Sequence, residues 1–245
     1  MHTNRMNPKK PNRGLLLALA IIAVIVGTWS FVSPMLDKQT ALKEQTRLLE
    51  SISAGNGEII LDPKVAETEP DFYINEAETS AKDSESIDTS EVLEVVENVT
   101  PLVTVPRVEP TTIKGIGILT IDKISLNLPV VDGISSEHLK VAVGRVLKTA
   151  EIGEIGNAVI AGHRSYEYGQ YFNRLGELEN GDIISYTSIG GVNYSFEVFE
   201  ISEIEPGDQI AFVQPTDESV ITLYTCTPIR TATHRLLVRA VKIFD

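Results

Sequence analysis

Residues 220–228 read VITLYTCTP. Val, Ile, Thr, Leu and Tyr in unbroken succession suit a buried strand better than a helix of the same length. The segment therefore reads as a strand that delivers Cys226 at its end. Downstream, 233–239 (THRLLVR) is a second such run, opening at His234 and Arg235. Upstream, 157–164 (NAVIAGHR) is a third, which runs into Gly162 and then His163. In each case an apolar run meets polar groups at a strand edge, where a rigid scaffold presents reactive side chains.

Further out, short runs of the same texture occupy 116–121, 128–131, 182–187 and 192–204. Tyr194, Phe196 and Val198 alternate with polar residues, as a half-buried strand requires. Gly190 and Gly191 lie between two such runs and mark a tight hairpin turn. Ser135 or Ser136 can cap a short helix reaching Val141, and another helical turn falls within 170–178. Many short strands with brief helices make the fold class mostly β, a closed or nearly closed barrel. The sequence has no internal repeat, no glycine-rich phosphate loop after a strand and no metal-ligand spacing.

The rest of the chain has a different character. Residues 1–13 hold Arg5, Lys9, Lys10 and Arg13 and no acid, and form a cytoplasmic basic tail in this reading. Residues 14–32, GLLLALAIIAVIVGTWSFV, carry no charge. A helix needs about 20 apolar residues, rising about 1.5 Å each, to cross a bilayer. The run is long enough to be a transmembrane anchor, and its basic flank keeps the N-terminus in the cytoplasm and the remainder outside. The competing reading is a cleaved signal peptide, but the apolar core exceeds the usual length and no small-x-small site follows. Residues 36–51 read as a short polar helix. Residues 65–97 hold eleven Asp or Glu against Lys82 alone, with many Ser and Thr. Such a segment buries too little apolar area to offset its entropy, so 33–114 is expected to be an extracellular helix and an acidic disordered stalk. The globular part is expected over 115–245.

The formal net charge of −13 excludes a nucleic-acid partner as the default, because phosphates would be repelled. Cys226 is the single cysteine of the chain, so neither an internal disulfide nor a cysteine-rich metal cluster can form. Taken alone, Cys226 reads as a small buried hydrophobe, His163 as a hydrogen-bonded structural residue and Arg235 as a surface charge. Taken together they match what a thiol nucleophile needs. An imidazole or guanidinium favours the thiolate, the imidazole passes a proton to a leaving amine, and the guanidinium stabilises an oxyanion.

AGHR (161–164), TLYTC (222–226) and Arg235 following TPIRTATH together resemble the signature of the sortase family. GILTIDKISLNLPVVDG (117–133) looks like that family's opening strand pair, and YFNRLGELENGDIISY (171–186) like the segment after its histidine. The resemblance implies an eight-stranded barrel and a cysteine transpeptidase without a cofactor. It implies Cys226 as nucleophile, His163 as acid and base, and Arg235 as oxyanion and substrate ligand. Leu223 and Thr225, which precede the nucleophile, are carried over as residues lining the substrate pocket. The implied partners are exported proteins with a C-terminal Leu-Pro-x-Thr-Gly-type sorting signal, and an acceptor amine from a peptidoglycan cross-bridge or a pilin lysine.

Class D-like and pilus-type class C enzymes both resemble CTPIRTATHRLLVRA (226–240). No second apolar span follows 32 and Asp62-Pro63 precedes Lys64 rather than an aromatic, which favours the class D-like reading. Many relatives carry a histidine where this sequence has Arg145, and no catalytic role rests there. His138 and His234 read as structural, with His234 the alternative base. Asp208, Asp217 and Glu218 are loop acids, to which no metal is assigned. A hydrolase using the same residues with water, and a non-catalytic anchored binding module, are the alternative functions.

Overall fold

A computed structural model describes residues 13–62, 65 and 111–243. Nine strands occur among these residues. They are β1 (Glu58–Ile60), β2 (Thr112–Ile121), β3 (Leu126–Asp132), β4 (Val143–Arg145), β5 (Gly156–Ala161), β6 (Ile183–Ser188), β7 (Asn193–Ile204), β8 (Ser219–Thr227) and β9 (His234–Ile243). They hydrogen-bond in the order β1-β2-β3-β4-β5-β8-β9-β7-β6, and β2 also pairs with β6. That last pairing closes eight strands into a barrel and leaves β1 as an outer addition to β2. Closure removes the sheet edges that would otherwise invite intermolecular pairing.

The barrel is held by a core that follows from alternation. Leu119 and Ile121 of β2, Ala158 and Ile160 of β5, Phe196 and Val198 of β7, Ile221 and Leu223 of β8, and Leu236 and Val238 of β9 all point inward. The alternate residues of β5, β8 and β9 do not face water, because a second layer covers them. Val159, Ala161, Tyr224 and Leu237 pack with Val146 and Ala211, joined by Ile134, Ile204 and Phe212. Strands buried on both faces read as continuous apolar runs, which is why 220–225 shows no alternation in sequence. The expected glycine hairpin joins β6 to β7, with Gly191 at φ 80°, a conformation that costs glycine no Cβ clash.

Four elements differ from the sequence reading, two of them shorter and two unforeseen. The helix capped by Ser135 is a single turn, α2 (Ser136–Leu139), its Ser135 hydroxyl accepting from the His138 N–H. Within 170–178 only Leu175–Glu177 is helical, as a 3₁₀ turn. The three-residue strands β1 and β4 were not foreseen, since segments that short have no periodicity to read.

The long helix α1 (Arg13–Ser53) spans both 14–32 and the polar segment 36–51. The described residues divide into two units, one up to Thr40 and a second from Ala41 onward. In the first unit, Ile21, Ile22, Val24, Ile25 and Val26 are all exposed. Side chains of 14–20 and 29–35 lie outside the described residues, and among the described residues no helix is long and apolar enough to cross a membrane. Of the acidic stretch 65–97, expected as a disordered stalk, Val65 is described and buried, and 66–97 lie outside the described residues.

The second unit reaches further back than residue 115. Leu48 and Ile52 of α1 join Ile59, Leu61, Val65, Ile113, Val131, Val141 and Ala142 in a buried cluster. The reason is close approach: a Cβ on Gly115 would sit 2.3 Å from Ile52 Cδ1, so only glycine lets α1 lie this near β2. The polar composition of 36–51 hid this narrow apolar stripe. Leu48 is fully buried. Its replacement in Leu48→Ala is expected to lower the unfolding free energy by about 2–4 kcal/mol, the usual cost of a cavity. Urea denaturation of the full chain measures it, and an unchanged midpoint would detach α1 from the barrel.

Arg145 is buried at the end of β4 and is held on four sides. Its Nε meets Asp132 Oδ1 at 2.7 Å and its Nη2 meets Glu151 Oε1 at 2.8 Å. Its Nη1 donates to the carbonyls of Thr149 and Ala150 at 3.1 and 3.3 Å. A planar fork with five donors suits this role, and it ties the loop 146–155 to the barrel.

Candidate active site

Register decides what lies beside Cys226. Strands β8 and β9 are antiparallel neighbours, and Cys226 stands directly opposite Arg235. Strands β5 and β8 are parallel, with Ala161 opposite Tyr224. One residue on, the Gly162 N–H donates to the Tyr224 carbonyl at 3.1 Å, and the Thr225 hydroxyl donates to the Gly162 carbonyl at 2.7 Å. The chains thus stay in step to Gly162, one residue past the end of β5 and one residue before His163. A buried polar network lower in the same pair holds this register. The Thr222 hydroxyl donates to Asn157 Oδ1 at 2.7 Å, and Asn157 Nδ2 donates to the Ala211 carbonyl at 2.9 Å.

Alternation decides which way the side chains face. Cys226 lies two residues beyond Tyr224, and Arg235 two before Leu237, and both reference residues belong to the outer layer. His163 follows Ala161 of that layer by two, while the intervening Gly162 faces Phe172 and Val143 of the barrel core. Thiol and guanidinium therefore share one face at one end of neighbouring strands, and His163 follows the end of β5 on the far side of β8 from Arg235. Cys226 is 9 % exposed and Arg235 is 6 % exposed, so both sit in a largely desolvated site. Low dielectric strengthens any charge interaction there. Arg235 Nη1 is braced by the carbonyls of Ala232 and His234 at 3.1 and 3.2 Å.

His234, the alternative base, falls on the opposite face, since it pairs with Thr227 one position out of phase. Its Nδ1 lies 3.0 Å from the Thr233 hydroxyl, and its side chain is exposed. His138 lies within α2, where its backbone N–H donates to the capping Ser135 hydroxyl.

Leu223 and Thr225 are placed differently from the expectation that they line the substrate pocket. Leu223 is fully buried in the barrel core, and Thr225 is fully buried with its hydroxyl committed to Gly162. Alternation turns both away from the face that carries Cys226. Their contribution at these positions is to packing and to the β5–β8 register. Asp208 accepts a hydrogen bond from the Ile210 N–H at 3.0 Å, capping a 3₁₀ turn. Among the described residues no group of three or more His, Cys, Asp or Glu is placed to hold a metal ion.

Two neighbours of the site were not singled out from sequence. Tyr171 packs its ring edge-on against His163, with centroids 5.8 Å apart and planes at 77°. Arg164 is partly buried. Desolvation lowers its pKa, and the charges of Glu203 and Cys226 oppose that shift. Adjacency to His163 in AGHR was the available signal for Arg164, whereas Tyr171 sits in a loop with no periodicity to mark it.

A closed β-barrel with cysteine and arginine on facing positions of neighbouring strands, and histidine at the end of the next, is the arrangement of a sortase-type fold. The sortase domain family matches residues 119–243, and the chain belongs to the sortase family. It is 30% identical over 120 residues to sortase D of Bacillus subtilis, covering 49% of this chain and 58% of the relative. It is 29% identical over 143 residues to sortase SrtE1 of Streptomyces coelicolor, covering 51% and 39% respectively. Among solved structures, sortase A from Corynebacterium diphtheriae superposes with a TM-score of 0.52 at 30% identity, covering 54% of this chain and 62% of that one. Sortase C1 of Streptococcus agalactiae gives 0.51 at 32% identity, covering 54% and 70%. The chain thus spans less than two thirds of the length of the two curated relatives it matches.

Proposed function

We propose that this chain is a membrane-anchored cysteine transpeptidase that cleaves a Leu-Pro-x-Thr-Gly-type sorting signal after its threonine. The observation that supports it most is the register that sets Cys226 opposite Arg235, one strand from His163. Cys226 Sγ passes its proton to His163 and attacks the threonine carbonyl carbon as the thiolate, and the negative charge that develops on the carbonyl oxygen is met by the Arg235 guanidinium. His163 gives a proton to the glycine nitrogen as the C–N bond breaks, leaving a thioester on Cys226. An incoming amine loses its proton to His163, attacks the thioester carbonyl and expels the thiolate. No metal or cofactor enters these steps.

The acceptor amine belongs to a peptidoglycan cross-bridge or a pilin lysine, and similarity to a sortase D accompanies the class D-like reading. Similarity to a sortase C1 of a pilus island accompanies the pilus-type alternative. The uncharged run 14–32 lies within one helix, and its exposed Ile and Val residues call for an apolar surrounding. With the basic tail before it, this supports an uncleaved anchor, a cytoplasmic N-terminus and an extracellular catalytic unit.

Product analysis separates transfer from hydrolysis. Incubating the chain with a Leu-Pro-x-Thr-Gly peptide and excess glycine peptide is expected to yield the amide-linked product by mass spectrometry. Only the free threonine carboxylate, at every amine concentration, would make it a hydrolase. No cleavage of any such peptide would favour a binding module.

A further inference from the structure

We propose that Tyr171 is a positioning residue that sets the plane of the His163 imidazole, by ring contact on one side and an anchored hydroxyl on the other. The inference rests on the reading of His163 as the proton-transfer group.

Tyr171 is one of few non-glycine residues in the left-handed region, at φ 44°. An aromatic residue there is uncommon, and such a conformation persists only where its surroundings determine it. The surroundings are on both sides. The next residue, Phe172, is fully buried in the barrel core, and its N–H donates to the His163 carbonyl at 3.0 Å. The loop that leaves His163 therefore returns to it one residue after the tyrosine. The left-handed turn at Tyr171 is what swings its ring back onto the imidazole while Phe172 enters the core.

The hydroxyl end is anchored as well. The Tyr171 O–H donates to the carbonyl of Lys140, the residue after α2. Val141 and Ala142, which follow, are fully buried in the cluster formed with α1. Burial pushes the phenol pKa upward, so the group stays a neutral donor through the working range. The ring is thus a strut between a packed segment and the histidine, meeting the imidazole in the edge-on geometry aromatic pairs prefer.

A transferase of this kind makes unusual demands on the imidazole. It must address the departing amine first and the arriving one later, from one place beside the sulfur. Misplacement by about 1 Å costs about 100-fold in rate. The contact belongs to the histidine and not to the peptide, so the loss falls on kcat.

The experiment compares Tyr171→Phe and Tyr171→Leu with the unmodified full chain. Tyr171→Phe keeps the ring and loses the anchor, and is expected to lower kcat about 5-fold, whereas Tyr171→Leu loses both and is expected to lower it about 50-fold, with KM within about twofold throughout. The His163 ring-proton resonances, assigned by comparison with His163→Gln, are expected to shift and broaden in Tyr171→Leu, and to broaden in Tyr171→Phe. Unchanged resonances in both variants, or full kcat in Tyr171→Leu, would overturn the inference. An unmodified chain that cleaves no sorting peptide would overturn the proposed function instead, and the resonances would still judge the strut. Should Tyr171→Leu not fold, the resonances of Tyr171→Phe decide.

Discussion

Cys226→Ala is expected to abolish cleavage of a Leu-Pro-x-Thr-Gly peptide, with a loss of about 10⁴-fold or more in kcat/KM. The size follows from the chemistry. Without sulfur there is no thioester, and the remaining donors can only polarise a carbonyl that no protein group attacks. The substitution removes one heavy atom from a side chain that is 9 % exposed, so the barrel should persist with a change of about 1 kcal/mol in stability. Two measurements check it together: peptide turnover by chromatography, and the mass of the enzyme after mixing with substrate. The unmodified chain should gain the mass of the acyl fragment and lose it on adding hydroxylamine, and the variant should gain nothing. Turnover at the ordinary rate by Cys226→Ala would remove the thiol from the mechanism.

His163→Ala is expected to lower kcat about 10³-fold with little change in KM, since general acid–base catalysis supplies about 10²–10⁴ and the imidazole is placed to meet the reacting atoms more than the bound peptide. The loss has two parts. The thiol keeps its proton more often, and the glycine amine must leave without a partner to protonate it. Added imidazole should restore part of the rate, because the vacated volume lies next to the Tyr171 ring edge and can admit a small heterocycle. His234→Ala is the matched comparison and should retain its activity, as its side chain projects from the other face of β9. Equal losses in the two variants would reverse the assignment of the base.

The strands that carry chemistry were legible because β-branched runs end in polar residues at 163, 226 and 235. The barrel could be expected from the number of short strands, and its closure rests on the pairing of β2 with β6, residues some 70 positions apart that no local pattern connects. Thr225 and Leu223 show the limit of motif reasoning. Both lie next to the nucleophile in sequence, and the period of two turns them into the interior while Cys226 faces outward. Alternation could have separated them, had the outer layer over β8 been foreseeable, but a strand buried on both sides shows no alternation.

Tyr171 was invisible for another reason. Its role comes from a left-handed turn and from a carbonyl 31 residues away, and neither leaves a trace in composition. The inward reach of α1 was masked in the same way. Leu48 and Ile52 are two apolar residues in the polar C-terminal part of that helix, and they acquire meaning only through the space that Gly115 leaves open.

The amino-acid order by itself determined the strand-forming segments, the uncharged run near the N-terminus and the three residue types able to run thiol chemistry, because each is a local property of side chains and their spacing. Which residues meet was decided by tertiary structure alone. Antiparallel pairing of β8 with β9 brings positions 226 and 235 to one level and one face, and parallel pairing of β5 with β8 sets position 163 just beyond the paired end of β5. Hydrogen-bond register is a relation between distant segments, and a one-residue slip would send Cys226 to the interior and leave the same sequence without a site.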